Sequence, residues 1–131
     1  AYTAGDAFGG LITFPDVFRS EKRSGIIVGA FLLDLDDEGL QVDMPIYIAP
    51  ITATADNSGY AVSANDALFC RGYVEISRFI DCINCQLGQA SDITIWVNSL
   101  DNNLYTQLIT RGAPNIAATK EPYIGIIVVP D

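Results

Sequence analysis

Apolar residues in this chain recur with period two, in runs separated by clusters of Gly, Pro, Asn and Asp. That is the period of a β-strand, whose side chains alternate between two faces. The stretch that organises the rest is 25–49. It begins Gly25-Ile-Ile-Val-Gly-Ala-Phe-Leu-Leu-Asp-Leu35, apolar on both faces, turns through Asp36-Asp37-Glu38-Gly39, and returns over 40–49. In the returning run Val42, Met44, Ile46 and Ile48 share one face, and Gln41, Asp43, Pro45 and Tyr47 take the other. The two runs predict a β-hairpin. The first, apolar on both sides, predicts a central strand covered above and below. Pro45 has no N–H to give a ladder, so the second is expected at a sheet edge or bent at that point.

The same period continues along the chain. Residues 7–14 predict a first strand with Phe8, Gly10, Ile12 and Phe14 on one face, and Gly9-Gly10 predicts a bulge or a close backbone approach. Further strands are predicted over 68–79, 80–87, 92–98, 104–111 and 122–129. Within 92–98, Ile93, Ile95 and Val97 point inward; within 104–111, Tyr105, Gln107, Ile109 and Arg111 share a face. Residues 50–62 form a long polar excursion, and Ser63-Ala-Asn-Asp-Ala67 reads as one helical turn with Ser63 as N-cap. There is no internal repeat. About eight strands with almost no helix predict an all-β fold: a single domain over 1–131, an antiparallel β-sandwich, jelly-roll-like. In a sandwich, the outer face of the doubly apolar strand needs cover. The excursion over 50–62 could supply it, or a neighbouring subunit.

Composition sharpens that second option. Of 131 residues, 18% are charged, below the roughly 25% usual for soluble domains, as expected if another chain covers part of the surface. Seven basic residues against sixteen acidic give a net charge of −9. Such a balance argues against nucleic acid and against anionic membranes, both of which need clustered Lys and Arg. The one dense basic segment, Arg19-Ser-Glu-Lys22-Arg23, reads as a solvated loop. No apolar run reaches the roughly 18 to 20 residues of a membrane-spanning helix, and no signal peptide is visible. The chain begins at Ala1, so processing or a slightly longer parent is expected. Three cysteines fit poorly with a disulfide framework and are expected as small, partly buried side chains in a reducing compartment.

Little chemistry can be assigned. With no histidine, Ser-His-Asp and Cys-His arrangements are excluded. Ser-Lys chemistry has only Lys22 and Lys120, both in predicted loops, and no glycine-rich phosphate loop precedes a helix. Glu75 with Asp92 or Asp43 could in principle form a glycosidase pair, but acids on the outer face of a strand read first as solvated. Cys82-Ile-Asn-Cys85 has metal-ligand spacing without a second pair to complete a zinc site. Asp34, Asp36, Glu38 and Gly39 mimic the start of an EF-hand loop, yet Pro45 stands where its bidentate Glu should be. Asp56-Asn57-Ser58 with Asn65 and Asp66 reads as Asx turns. No catalytic residue, metal or cofactor is expected. The better signal is an interface: if Ile93, Ile95 and Val97 point inward, Trp96 points out. Should Tyr105, Gln107 and Arg111 share that outer surface, Trp, Tyr and Arg, the residues that dominate interface hot spots, stand together. The alternative is that a loop of the same chain covers Trp96.

The order of motifs is itself informative. Tyr2-Thr-Ala-Gly-Asp6 leads into Gly9-Gly10-Leu11-Ile12-Thr13-Phe14, then Ser24-Gly25-Ile26-Ile27, Asp56-Asn57 with Tyr60, and the turn over 63–68 before Gly72-Tyr73-Val74. Leu104-Tyr105-Thr-Gln-Leu-Ile-Thr-Arg111-Gly112-Ala113-Pro114 and a last strand with Gly125 ending at Asp131 complete it. Across nearly the whole chain this resembles a family of small structural proteins of tailed bacteriophages, the head decoration, cement or auxiliary capsid proteins. The resemblance implies a β-sandwich made in the host cytoplasm and carried on the outside of the virion. It implies no catalysis or cofactor, the major capsid protein as partner, and self-association as a homotrimer. A phage tail or head-fibre module recognising a host receptor or glycan is the alternative. The chain departs from the family's pattern at Thr119-Lys120-Glu121-Pro122, where relatives have an Asp-Leu and alternating polar residues, and in the Cys82/Cys85 pair.

Overall fold

The computed structural model describes residues 2–18, 21–36, 39–116 and 121–131. Arg19 of the basic segment, Asp37 and Glu38 of the acidic turn, and Thr119 and Lys120 lie outside the described residues. Among the described residues the period-two runs form nine strands: β1 (Ala7–Phe14), β2 (Ser24–Asp34), β3 (Val42–Tyr47), β4 (Cys70–Ile76), β5 (Phe79–Asp81), β6 (Gln86–Ala90), β7 (Ile95–Asn98), β8 (Leu104–Thr110) and β9 (Tyr123–Pro130). The one helix among the described residues, α1 (Ala64–Ala67), is the predicted turn: Ser63 Oγ accepts from the Asp66 amide at 3.1 Å.

The strands make two antiparallel sheets, an all-β sandwich. One has the order β1-β8-β3-β4. In the other, β2 is central: β7 pairs with its first half and β6 with its second, β5 lies beyond β6, and β9 runs along its opposite edge. The neighbour changes at Val28-Gly29, where the β2–β9 register also slips. Between the sheets lies the core, built from the inward faces: Ile27, Ala30 and Leu32 of β2, Val42, Met44 and Ile46 of β3, and Leu104 and Leu108 of β8.

Three expectations change. The predicted hairpin over 25–49 is an arch: β2 and β3 belong to different sheets and do not pair. Both strands present an apolar face to the core, so crossing between sheets buries both. Asp34, itself fully buried, holds the corner by accepting from the amides of Asp36 and Leu40, each at 3.0 Å. Of the two placements expected for the Pro45 strand, an edge or a bend, the edge is ruled out, since β3 lies between β8 and β4. Its ladder to β4 is continuous through Pro45, whereas its register with β8 skips from Asp43 to Tyr47, so the missing donor falls in a gap. Finally, the strand predicted over 80–87 is broken by a hairpin tip. Cys82 N donates to Cys85 O at 2.9 Å, and Ile83 takes a left-handed φ of 75°. The bulge predicted at Gly9-Gly10 is present: the β1–β8 register shifts between Phe8 and Ile12, and Gly9 has φ +71°.

Candidate functional site

Cover for the two outer faces is unequal. On the four-stranded sheet, Tyr47, Tyr105 and Gln107 point away from the core, and the segment over 50–62 lies across them. Ile51 and Val62 pack on Tyr47 and Tyr105. Gln107, fully buried, makes three hydrogen bonds: its Nε2 donates to Thr54 O (2.7 Å) and Gly9 O (2.8 Å), and its Oε1 accepts from Thr54 N (2.9 Å). Tyr47 and Tyr60 join hydroxyl to hydroxyl, and the Tyr105 hydroxyl donates to Asp101. A buried polar side chain must be satisfied in this way, and at Gln107 and Tyr47 that requirement ties the loop down.

The five-stranded sheet has no such cover among the described residues. Register places its outward side chains in rows, because directly opposite residues share a face. Ile26 stands between Trp96 on β7 and Val129 on β9. At the other end, Leu33 stands between Leu87 and Tyr123, with Ile80 beyond Leu87. Between these rows Phe31 faces Gly125 and Gly29 faces Ile127. A Cβ on Gly125 would lie 2.3 Å from the Phe31 ring. The far end of the ring therefore occupies the space over the bare glycine backbone. Trp96 is 65% exposed, Tyr123 64% and Ile80 66%. The outward positions of β2, β6, β7 and β9 carry no charged residue. Arg78, before β5, and Asp131, whose carboxylate accepts from Ser24 Oγ at 2.5 Å, lie at the rim.

The candidate interface of Trp96, Tyr105, Gln107 and Arg111 is thus divided, which corrects the expectation of one shared surface. Trp96, Tyr105 and Gln107 face outward from their strands as expected, but β7 and β8 lie in different sheets, and Arg111 follows the end of β8. Trp96 is on the open face, while Tyr105 and Gln107 are buried under the loop on the far side. No loop of the described residues covers Trp96. Arg111 pairs with Glu75 (Nη1–Oε1, 2.7 Å) and Asp43 (Nε–Oδ1, 3.4 Å), which are cross-strand neighbours. Burial pushes the Asp43 carboxyl up; Arg111 opposes the rise and Glu75 adds to it.

The other candidates separate as well. Asp34 and Asp36 serve the arch, and no group of three or more metal-ligating side chains occurs among the described residues. Asp56 accepts from the Gly9 amide at 2.7 Å and from the Tyr2 hydroxyl at 2.8 Å, fastening the loop to β1. Cys70 and Cys85 are half-buried, as expected of small partly buried side chains, whereas Cys82, at the hairpin tip with Cys85, is exposed, which corrects the expectation there. Glu75 and Asp92 both line an open cleft of about 330 Å³, with Glu75 held by Arg111. A groove of about 370 Å³ opens between β1 and the start of β9, lined by Tyr2, Phe8, Ile12, Asp56, Glu121 and Ile124 among others.

The signal for the open face was in the sequence, in the doubly apolar run over 24–34 and the uncharged run over 123–130. What the sequence left open was their adjacency. No protein-family model, no curated protein and no solved structure matches the chain.

Proposed function

We propose that this chain is a structural protein that works by association, and that its place is the outer shell of a tailed-phage head. There it binds the major capsid protein and bridges neighbouring capsid subunits. One observation carries the associative part: an apolar sheet face, uncharged at the outward positions of β2, β6, β7 and β9, stands uncovered by the described residues on a chain of net charge −9. Monomeric soluble proteins rarely expose contiguous apolar patches beyond about 300–600 Å². A protein bound in many copies to a shell also gains strength from effective concentration, so weak sites suffice. The phage-head setting rests on the sequence resemblance.

The test is copy number on the particle. Quantitative mass spectrometry of purified virions is expected to find the chain in fixed proportion to the major capsid protein, with symmetry-resolved imaging placing it on the shell. A few copies at the tail would favour the receptor-binding reading, and absence from the virion would overturn both.

A further inference from the structure

We infer that the open face of the five-stranded sheet is covered by a second copy of this chain, packed face to face about a two-fold axis. This rests on the associative reading above and names the partner at that face. It also replaces the three-fold association implied by the family resemblance.

Area is the first argument. The exposed apolar side chains of the face, Trp96, Tyr123, Ile80, Ile127, Val129 and Phe31 foremost, together offer on the order of 800 Å². That is about what each partner contributes to a specific interface of standard size.

Shape is the second. Sheets pack face to face about 10 Å apart when their side chains form even layers. In the middle of the face the Phe31 ring occupies the space over Gly125 and the Ile127 side chain stands over Gly29, 3.2 Å from where a Cβ would lie, so both bare positions carry a neighbour's apolar side chain.

Charge is the third. Two copies, each at −9, repel wherever carboxylates meet. The outward positions of β2, β6, β7 and β9 form a broad surface on which no carboxylate is brought opposite another.

Among the described residues there is one such patch, and a single patch fits a two-fold contact. A three-fold ring needs two different complementary surfaces on each copy, whereas a two-fold contact uses the same surface twice. The remaining exposed large apolar residues, Leu68, Tyr73, Ile83 and Leu100, sit singly on separate elements.

Trp96 is the sole tryptophan and reports the contact directly. Native mass spectrometry and sedimentation across a dilution series are expected to give a dimer, with Trp emission shifting to the red as it dissociates. Salt should tighten the dimer by screening the net repulsion. Ile127→Asp and Trp96→Asp alter exposed side chains and are expected to raise the dimer Kd about 100-fold or more. Far-UV circular dichroism of each variant confirms the fold; Val129→Asp, on the same face, replaces either that fails to fold. A monomer at every concentration, a trimer, or a dimer that these variants leave intact overturns the inference. A monomer that still decorates virions sinks the two-fold contact alone. A variant-sensitive dimer absent from virions sinks the phage-head reading alone.

Discussion

Gln107 and Thr54 are joined by reciprocal hydrogen bonds, amide to backbone in both directions, at 2.7 and 2.9 Å. The side chain of a strand residue thereby imitates a neighbouring strand and clamps the loop over 50–62 onto the four-stranded sheet. One sheet is in this way closed by its own chain, and the apolar outer surface of the other is left exposed among the described residues.

Gln107→Ala should accordingly cost about 3 kcal/mol of folding stability, because it leaves buried donors and acceptors on Thr54 and Gly9 without partners. Urea denaturation measures the loss. Hydrogen exchange at the Thr54 amide locates it: protection there should collapse while the β2–β9 amides stay protected. Uniform weakening with Thr54 still protected would mean that the loop is held by other contacts.

At the arch, Asp34 performs the corresponding task between the sheets. Asp34→Ala strands the buried amide of Leu40 and loosens that of Asp36, an expected loss of about 2–4 kcal/mol. Asp34→Asn keeps one acceptor oxygen and should lose about half as much. Thermal and urea unfolding of the two variants side by side checks the order.

Much of this was legible from residue order. Alternation placed Met44 and Ile46 inward and Tyr47 outward, put Trp96 and Tyr105 each on an outer face, and marked Ser63 as a helix cap; the structure agrees on each. Sheet membership was not legible. A β-strand states which of its faces is apolar and says nothing of which sheet it joins, because β2 and β3 bury the same side chains as a hairpin or as an arch. Asp34 decides between the two, and its role depends on a backbone path that composition does not fix. The loop over 50–62 hid its role for the same reason: Thr54 and Asp56 are polar, and only their pairing with Gln107 and Gly9 makes them cover.

Phe31 and Gly125 offer a test of how the open face packs. A Cβ at position 125 would sit 2.3 Å from the Phe31 ring, so Gly125→Ala should destabilise the fold by about 1–3 kcal/mol as the ring is displaced. With Phe31→Ala already present the same change should cost little, which gives a coupling of about 1 kcal/mol or more in a double-mutant cycle. Additive effects would show that the ring is free to leave the glycine.

Alkaline pH should loosen the covered sheet. Burial pushes the Tyr47 hydroxyl well above the ordinary tyrosine value of 10.0, and its bond to Tyr60 adds to the rise. Tyr60 is also raised by burial, against the opposing effect of that bond. Burial, then the bond to Asp56, pushes Tyr2 up to about 12. Groups raised on folding keep their protons in the native state after the unfolded chain has lost them. Their contribution is therefore fully present below pH 10 and is lost as pH rises through the folded values, from 10.0 to about 12 for Tyr2 and beyond for Tyr47. All three tyrosines fasten the 50–62 loop, Tyr47 from β3, Tyr60 from within the loop, and Tyr2 through Asp56. The melting temperature should hold steady to about pH 9 and fall above pH 10. Tyr47→Phe should lose about 1 kcal/mol at neutral pH and show a shallower alkaline fall. Melting curves from pH 7 to 12, with absorbance at 295 nm following phenolate formation, decide the matter: an alkaline slope identical to that of the parent chain would remove Tyr47 from the titrating set.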